Sequence, residues 1–126
     1  MSAKRVLVVD DEAHLREIAQ MSLEAMAGWR VTVAASGEEA IAAAGADPPD
    51  AILLDLMLPG LDGAETFRRL RRHAATAQVP VVLLTAKLQP ADRAHFEGLG
   101  VDGVIGKPFE PMALARQVAN LLGWDR

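Results

Sequence analysis

Short apolar runs alternate with longer helix-like stretches along the whole chain, and this alternation limits the possible fold more than any other feature. The apolar runs cover residues 6–9, 31–34, 51–54, 81–84 and 104–105. They contain almost no polar residues, which is typical of strands covered on both faces of a parallel sheet. The pattern therefore predicts an α/β fold, a doubly wound five-stranded parallel sheet with helices on both faces.

The segments between the runs carry signals for five helices. The predicted helices cover residues 12–27, 37–44, 64–72, 90–99 and 111–122. Gly28 and Gly123 follow two of them, as glycine commonly does at a helix C-terminus. Ser36 and Glu39 have the spacing of a capping box at the start of the second helix. The side chains expected to point inward from the third and fifth helices are Phe67, Leu70, Leu114, Val118 and Leu121.

Length and composition restrict the functional classes. The 126 residues suit one domain, and we expect residues 1–126 to form it. The formal net charge of −4 gives no reason to expect direct nucleic-acid binding. The absence of cysteine excludes disulfides, thiol catalysis and cysteine-metal sites. No apolar run approaches the roughly 20 residues of a membrane span, so we expect no membrane insertion and a cytoplasmic location.

Polar residues follow four of the five apolar runs, at the point where each predicted strand ends. Asp10 and Asp11 follow the first run, Asp55 the third, Thr85 the fourth and Lys107 the fifth. An open parallel sheet binds its ligands beyond the carboxyl ends of its strands. Three acids, a hydroxyl and an amine at this edge are the groups that a phosphoryl-transfer site needs.

Each of these residues also has an explanation that involves no site. Asp11 could cap the first helix, and Asp55 could begin an ordinary polar turn. Thr85 could cap the segment after the fourth strand, and Lys107 could be a solvated lysine. It is the joint pattern at one edge of one sheet that favours a functional site.

Longer motifs around these positions are similar to those of a known family. They are VVDDE at 8–12, LLD at 53–55, LPG at 58–60, DG at 62–63, LTA at 84–86 and KPF at 107–109. In this order they resemble the receiver domain of two-component response regulators, and the resemblance runs from Arg5 to about Leu122. It implies a flavodoxin-like sheet with strand order 2-1-3-4-5, in which neighbouring first and third strands bring Asp10, Asp11 and Asp55 together.

The resemblance also implies a phosphoacceptor site. Asp55 would attack the phosphorus of a phosphohistidine or a small acyl phosphate and become an aspartyl phosphate. Lys107 would pair with one phosphate oxygen, and the Thr85 hydroxyl would donate a hydrogen bond to another. Such a domain assists its own phosphorylation and dephosphorylation but is not an enzyme in the usual sense.

The same resemblance implies a Mg²⁺ ion at this site. Three carboxylates repel an incoming phosphate, and a hard divalent cation with oxygen ligands offsets this repulsion. Asp11, Asp55 and the backbone carbonyl of Met57 would bind the ion directly. Asp10 would act on it through water.

Protein partners and a conformational switch follow from the resemblance as well. The phosphoryl donor would be a sensor histidine kinase or a histidine phosphotransfer protein. A downstream effector protein would bind the surface of the fourth helix, fifth strand and fifth helix, and the chain would act as a stand-alone regulator. The Lys107–Pro108 bond is expected to be cis. Val104 stands where the family usually has Tyr or Phe, so we expect no ring movement in the switch.

Other functional classes fit the sequence less well. A phosphatase with an aspartyl nucleophile usually has a second Asp two residues after the first, but Met57 occupies that position. A flavin carrier needs a phosphate-cradling loop after the first strand, where this chain has Asp10 and Asp11. The open alternative is a receiver-shaped protein-interaction module that is not regulated by phosphorylation.

Several conspicuous side chains are predicted to lie outside any site. A solvated helix face near Glu65 is expected for Arg68, Arg69, Arg71 and Arg72. Surface positions are expected for His14, His73 and His95, and no stacking motif is expected for Trp29 and Trp124. Gaps in the core are expected to be filled by Met21, Met26 and Met112.

Overall fold

The computed structural model describes residues 3–86 and 89–124, except the side chain of Arg93. Its sheet contains the parallel strands β1 (Arg5–Val9), β2 (Arg30–Ala34), β3 (Ala51–Asp55), β4 (Val81–Thr85) and β5 (Gly103–Gly106). Their order is β2-β1-β3-β4-β5, which confirms the predicted doubly wound topology. Each strand lies within about a residue of the predicted apolar run. The central strands β1, β3 and β4 are buried nearly throughout, as a continuous apolar run requires, whereas the edge strands β2 and β5 are partly exposed.

Within the described residues, four helices connect these strands and a fifth follows β5, and local sequence signals account for most of the helix ends. They are α1 (Ala13–Ala27), α2 (Gly37–Ala46), α3 (Gly63–Arg72), α4 (Pro90–Gly98) and α5 (Leu114–Leu122). The predicted capping box is confirmed, because the Ser36 side chain accepts a hydrogen bond from the Glu39 amide. The Glu39 carboxylate in turn accepts one from the Ala35 amide. Gly28 and Gly123 end α1 and α5 in the left-handed conformation.

The core has two halves, one on each face of the sheet. One half contains buried side chains of α2, α3 and α4, among them Phe67, Leu70 and Phe96. The other contains buried side chains of α1 and α5, among them Leu23 and Val118. Successive residues of a strand point to opposite faces, so each of the central strands contributes to both halves.

The fifth helix begins later than predicted and ends at Leu122, as predicted. It begins at Leu114 instead of Pro111, because Glu110 forms a turn in which its side chain accepts from the Met112 amide and its carbonyl from the Ala113 amide. Leu114 and Val118 point inward as predicted.

Leu121 was predicted to point inward, and this prediction is wrong. Its side chain is 41% exposed. It lies over Gly103 of β5, which is the last strand of the sheet and gives only partial cover.

The prediction that three methionines fill the core is also wrong. Met21, Met26 and Met112 are 68%, 48% and 64% exposed. The buried face of α1 consists of Ala19, Ser22 and Leu23, and neither methionine of that helix extends it. Met112 lies in the turn before α5.

No stacking motif was expected for the two tryptophans, but their rings are in contact. Trp29 and Trp124 meet edge to face with ring centroids 5.2 Å apart. The ammonium group of Lys4 lies 4.8 Å from the centre of the Trp124 ring. This cluster joins the second residue after the end of α5 to the residue before the start of β2.

The arginines of α3 divide into two groups. Arg68, Arg69 and Arg72 lie on the solvated face, as predicted, and all three pair with the Glu65 carboxylate. Arg71 departs from the prediction because it is only partly exposed and donates to the Val79 carbonyl over 2.8 Å. The three histidines are exposed, as predicted.

None of the helices within residues 3–86 and 89–124 combines the length and apolar character that a membrane crossing requires.

Candidate functional site

Three carboxylates meet where β1 and β3 end. The two strands are neighbours, and Val9 of β1 lies beside Leu54 of β3. The residues that follow therefore converge, and carboxylate oxygens of Asp10, Asp11 and Asp55 lie within 4.8 Å of one another. Asp10 and Asp55 are 1% and 3% exposed, whereas Asp11 is open to solvent.

Asp10 is held on both of its carboxylate oxygens. One oxygen accepts a hydrogen bond of 2.9 Å from the Glu12 amide. The other accepts one of 3.0 Å from the Lys107 ammonium group. The Asp10 amide continues the sheet by donating to the Ala34 carbonyl.

Asp55 is the last residue of β3 and is held by its own turn and by Lys107. Its Oδ1 accepts a hydrogen bond of 3.1 Å from the Met57 amide, and its Oδ2 lies 3.3 Å from the Lys107 ammonium nitrogen. The turn is tied to α3, because the Gly63 amide donates to the Leu56 carbonyl.

Lys107 and Thr85 come from the other half of the site. Thr85 ends β4, is fully buried and lies beside Gly106 in the sheet. Its carbonyl accepts a hydrogen bond from the Lys107 amide, which fixes the start of the lysine loop. The Lys107–Pro108 bond is cis, as predicted. One ammonium group thus bridges two buried carboxylates from different strands.

The electrostatics of the site reflect this burial and pairing. Burial raises the pKa of Asp55 and the charge of Asp10 raises it further, although hydrogen bonds from Met57 and Lys107 lower it in part. Burial lowers the pKa of Lys107, but its hydrogen bonds and ion pairs with Asp10 and Asp55 outweigh this and leave the pKa above its ordinary value. Lys107 is therefore an ammonium ion at neutral pH.

The simpler explanations of Asp11, Asp55 and Lys107 do not fit their positions. The N-cap residue of α1 is Glu12 and not Asp11, and among the described residues no side-chain hydrogen bond caps that helix. Asp55 is buried at a strand end and does not lie in a solvated turn. The side chain of Lys107 is 16% exposed and paired, which is not the position of a solvated lysine.

The donor atoms around the three carboxylates suit a hard cation. The ligands on offer are oxygens only, which is the set that Mg²⁺ prefers. Within the described residues no hydrogen bond or ion pair engages the carboxylate of Asp11, so it is free to bind. Met57 follows Asp55 by two residues, and its exposed side chain borders the same cleft.

An apolar rim surrounds the polar centre on the side of α1. The cleft that contains Asp11, Asp55 and Lys107 has a volume of 610 Å³. Its apolar lining is formed by Leu15, Ile18, Met57, Ala86, Pro108, Phe109 and Pro111. A groove of 270 Å³ continues from Ile18 and Pro111 along α1 to the exposed methionines.

Two contacts of the site were not foreseen from the sequence. The Arg16 guanidinium group, one turn into α1, donates a hydrogen bond of 2.8 Å to the Asp10 carbonyl. Gly63 packs directly on the backbone of the Asp55 turn. The DG motif at 62–63 was a signal for Gly63, but no sequence pattern indicated the contact of Arg16.

Known proteins with related sequences are similar over nearly the whole chain. The family model of the response regulator receiver domain matches residues 6–119. The phosphate regulon transcriptional regulatory protein PhoB of Pseudomonas aeruginosa is 40% identical over 122 residues, which are 97% of this chain and 53% of PhoB. The transcriptional regulatory protein ResD of Bacillus subtilis is 42% identical over 118 residues, 94% of this chain and 48% of ResD. The chain spans about half the length of these curated relatives.

A solved structure has both the same fold and a metal. The receiver domain of the sensor histidine kinase PA1611 from Pseudomonas aeruginosa PAO1 is 31% identical, with a TM-score of 0.85 over 97% of this chain and 99% of that domain. That structure has a magnesium ion coordinated in its active site cleft. The flavodoxin-like fold is thus shared with a protein that binds Mg²⁺.

Proposed function

The chain belongs to the response regulator receiver domain family, and we propose that Asp55 is the residue that accepts the phosphoryl group. Receiver domains are signalling domains of two-component systems and not classical enzymes. The observation that carries the assignment is the position of Asp55, buried at the end of β3 with its Oδ2 3.3 Å from the Lys107 ammonium nitrogen. Asp10 also contacts Lys107, but it lies one residue beyond β1, whereas Asp55 is itself the last residue of β3.

The transfer needs few groups besides the nucleophile. A carboxylate oxygen of Asp55 attacks phosphorus, the P–O bond forms, and the P–N bond of a phosphohistidine or the P–O bond of an acyl phosphate breaks. Lys107 is proposed to form an ion pair with a phosphoryl oxygen, because its ammonium group already contacts Asp55. The Thr85 hydroxyl, at the end of the neighbouring strand, is proposed to donate to another of them.

We propose Mg²⁺ as the cofactor. Asp11, Asp55 and the Met57 carbonyl would hold it directly, and Asp10, whose oxygens already accept from Glu12 and Lys107, would act through water. The ion would supply positive charge against the carboxylates and the incoming phosphate. The magnesium ion in the PA1611 receiver domain supports this choice.

Intact-mass measurement after incubation with acetyl phosphate and Mg²⁺ tests the acceptor directly. The wild-type chain should gain the mass of one phosphoryl group, and Asp55→Asn should gain none. Omitting Mg²⁺ should prevent the gain in the wild type. An equal gain in Asp55→Asn would place the acceptor elsewhere, and no gain in the wild type would favour an interaction module that is not phosphorylated.

We propose that the phosphoryl donor is a protein, either a sensor histidine kinase or a histidine phosphotransfer protein. The apolar rim beside Asp55 supports this proposal, because a small acyl phosphate has no need of the methionine-lined groove along α1. A Met21→Glu, Met112→Glu double variant should lose transfer from a phosphorylated kinase that acts on the wild type. Its labelling by acetyl phosphate should stay unchanged. Equal loss with both donors would show damage to the site instead of to the docking surface.

The signal is proposed to leave through the surface of α4, β5 and α5, where a downstream effector protein would bind. Val104 lies half-buried in β5 and has no ring that could change between buried and exposed states. Activation would instead move the segment that follows Thr85, of which residues 87–88 lie outside the described part of the chain, and then α4 itself. Amide NMR with and without beryllofluoride should show shifts along α4. Shifts confined to the neighbours of Asp55 would contradict this route.

The single domain over residues 1–126 and the cytoplasmic location remain predictions.

A further inference from the structure

The carbonyl of Asp10 is bound by a side chain where the sheet no longer supplies a partner. The pairing of β1 with β3 ends at Val9 and Leu54. One residue later, the Arg16 guanidinium group reaches back from α1 and donates to the Asp10 carbonyl over 2.8 Å in a partly buried position. A charged donor makes this a stronger hydrogen bond than a neutral one.

This hydrogen bond fixes the peptide plane that joins Asp10 to Asp11. The Asp10 carbonyl and the Asp11 amide belong to one planar unit, so holding one group orients the other. The remaining contacts of the turn secure its two ends: the Asp10 amide donates to Ala34, and the Glu12 amide donates to the Asp10 side chain. Among the described residues, only Arg16 holds the plane between them from outside the turn.

Asp11 depends on this backbone more than its neighbours do. Asp10 and Asp55 are buried, and Lys107 holds both carboxylates. The carboxylate of Asp11 is exposed, and in residues 3–86 and 89–124 no hydrogen bond or ion pair holds it. Its position is therefore set by the orientation of its own backbone.

We infer that Arg16 is a positioning residue for the cation site, because it holds the Asp10–Asp11 peptide in the orientation that directs the Asp11 carboxylate toward Asp55. The inference rests on the proposed Mg²⁺ site. Charge alone would have the opposite effect, since a guanidinium group near three carboxylates repels an approaching cation. A positioning role predicts that removing Arg16 weakens Mg²⁺ binding, whereas a simple charge effect predicts that it strengthens Mg²⁺ binding.

Two variants and one control test the inference by NMR titration of backbone amides with MgCl₂, which yields a dissociation constant without any phosphorylation. Arg16→Met keeps an unbranched apolar stem but removes the donors and the charge, and Arg16→Lys keeps the charge and replaces the planar guanidinium donors with an ammonium group. Arg116→Met changes an exposed arginine of α5 that makes no hydrogen bond or ion pair with the site among the described residues, and serves as the matched control.

We expect Arg16→Met to bind Mg²⁺ roughly tenfold more weakly, which is the smaller end of the loss seen when residues behind metal ligands are removed. Arg16→Lys should be intermediate and Arg116→Met unchanged. Equal or tighter binding in Arg16→Met overturns the inference. If Arg16→Met does not fold, a dissociation constant for Arg16→Lys equal to that of the wild type overturns it. Absence of Mg²⁺ binding in the wild type would instead overturn the proposed metal site itself.

Discussion

Gly63 offers a quantitative test of how closely the fold supports the acceptor. It begins α3 and lies against the turn that carries Asp55. A Cβ atom at Gly63 would lie 2.6 Å from the Asp55 carbonyl oxygen and 2.7 Å from the Leu56 Cα. Ordinary contact begins at 3.4 Å, so Gly63→Ala requires the two backbones to separate by about 0.8 Å, the difference between 3.4 and 2.6 Å.

This separation has a cost in both stability and rate. Overpacking of a closely fitted site costs about 1–3 kcal/mol, because backbone must move instead of a flexible side chain. For a domain of this size the melting temperature should fall by roughly 4–15 °C. A displacement near 1 Å can slow a reaction about a hundredfold, so we expect phosphorylation of Gly63→Ala by acetyl phosphate to be at least tenfold slower.

Gly45→Ala is the matched control for this prediction. Gly45 lies in α2, and a Cβ atom added there would meet nothing within 4 Å. The backbone φ of Gly45 is not positive, so alanine fits there without strain. Alanine at this position should raise stability by about 0.5–1 kcal/mol through its better helix propensity. Thermal unfolding and intact-mass time courses at a temperature where all three proteins are folded give both quantities. If Gly63→Ala melts no lower than the wild type and is phosphorylated as fast, close packing against Gly63 does not support the acceptor turn.

Three further perturbations give results of predictable sign. Burial raises the pKa of Asp55, so the folded state binds the proton of this carboxyl group more readily than the unfolded state does. The contribution of Asp55 to the free energy of unfolding therefore falls as pH rises through and above the ordinary pKa of about 3.9. Asp55→Asn should therefore be more stable than the wild type at pH 7 without Mg²⁺ in urea titrations, and the difference should shrink at lower pH; a constant difference would contradict this. Mg²⁺ at ten times its dissociation constant should stabilise the wild type by about 1.4 kcal/mol, and Asp11→Ala should abolish the rise in melting temperature. Arg71→Met should lower the free energy of unfolding by roughly 1–3 kcal/mol because the Val79 carbonyl loses its partner, whereas Arg68→Met on the exposed face should match the wild type.

The elements of the fold were predictable from the sequence because their signals are local. Strands buried on both faces must be apolar along their whole length, and glycine at a helix end or a capping box marks a boundary within a turn. The start of α5 was misplaced because a proline at 111 suits the first turn of a helix as well as the turn that Glu110 forms here. The strand order came from the resemblance and not from these local signals.

The site was predictable only as far as strand ends determine position. Asp10, Asp55, Thr85 and Lys107 each follow an apolar run, and a parallel sheet brings such residues to one edge. The contact of Arg16 could not be predicted, because it depends on how α1 leaves the sheet. The contact between Trp29 and Trp124 was missed for the same reason, since it joins residues distant in the chain.

The methionines show why an apolar pattern does not by itself identify a core. Removal from water favours an apolar side chain equally in the interior and against a partner, so sequence periodicity gives the same signal for both. The packing of α1 distinguishes a core position from a partner surface, because the buried face of this helix is small and leaves Met21 and Met26 exposed. Their groove joins the cleft of Asp55 through Ile18, and methionine adapts readily to varied partner surfaces. The docking surface that we propose for the phosphoryl donor therefore includes Met21, Met26 and Met112, which the sequence assigned wrongly to the core.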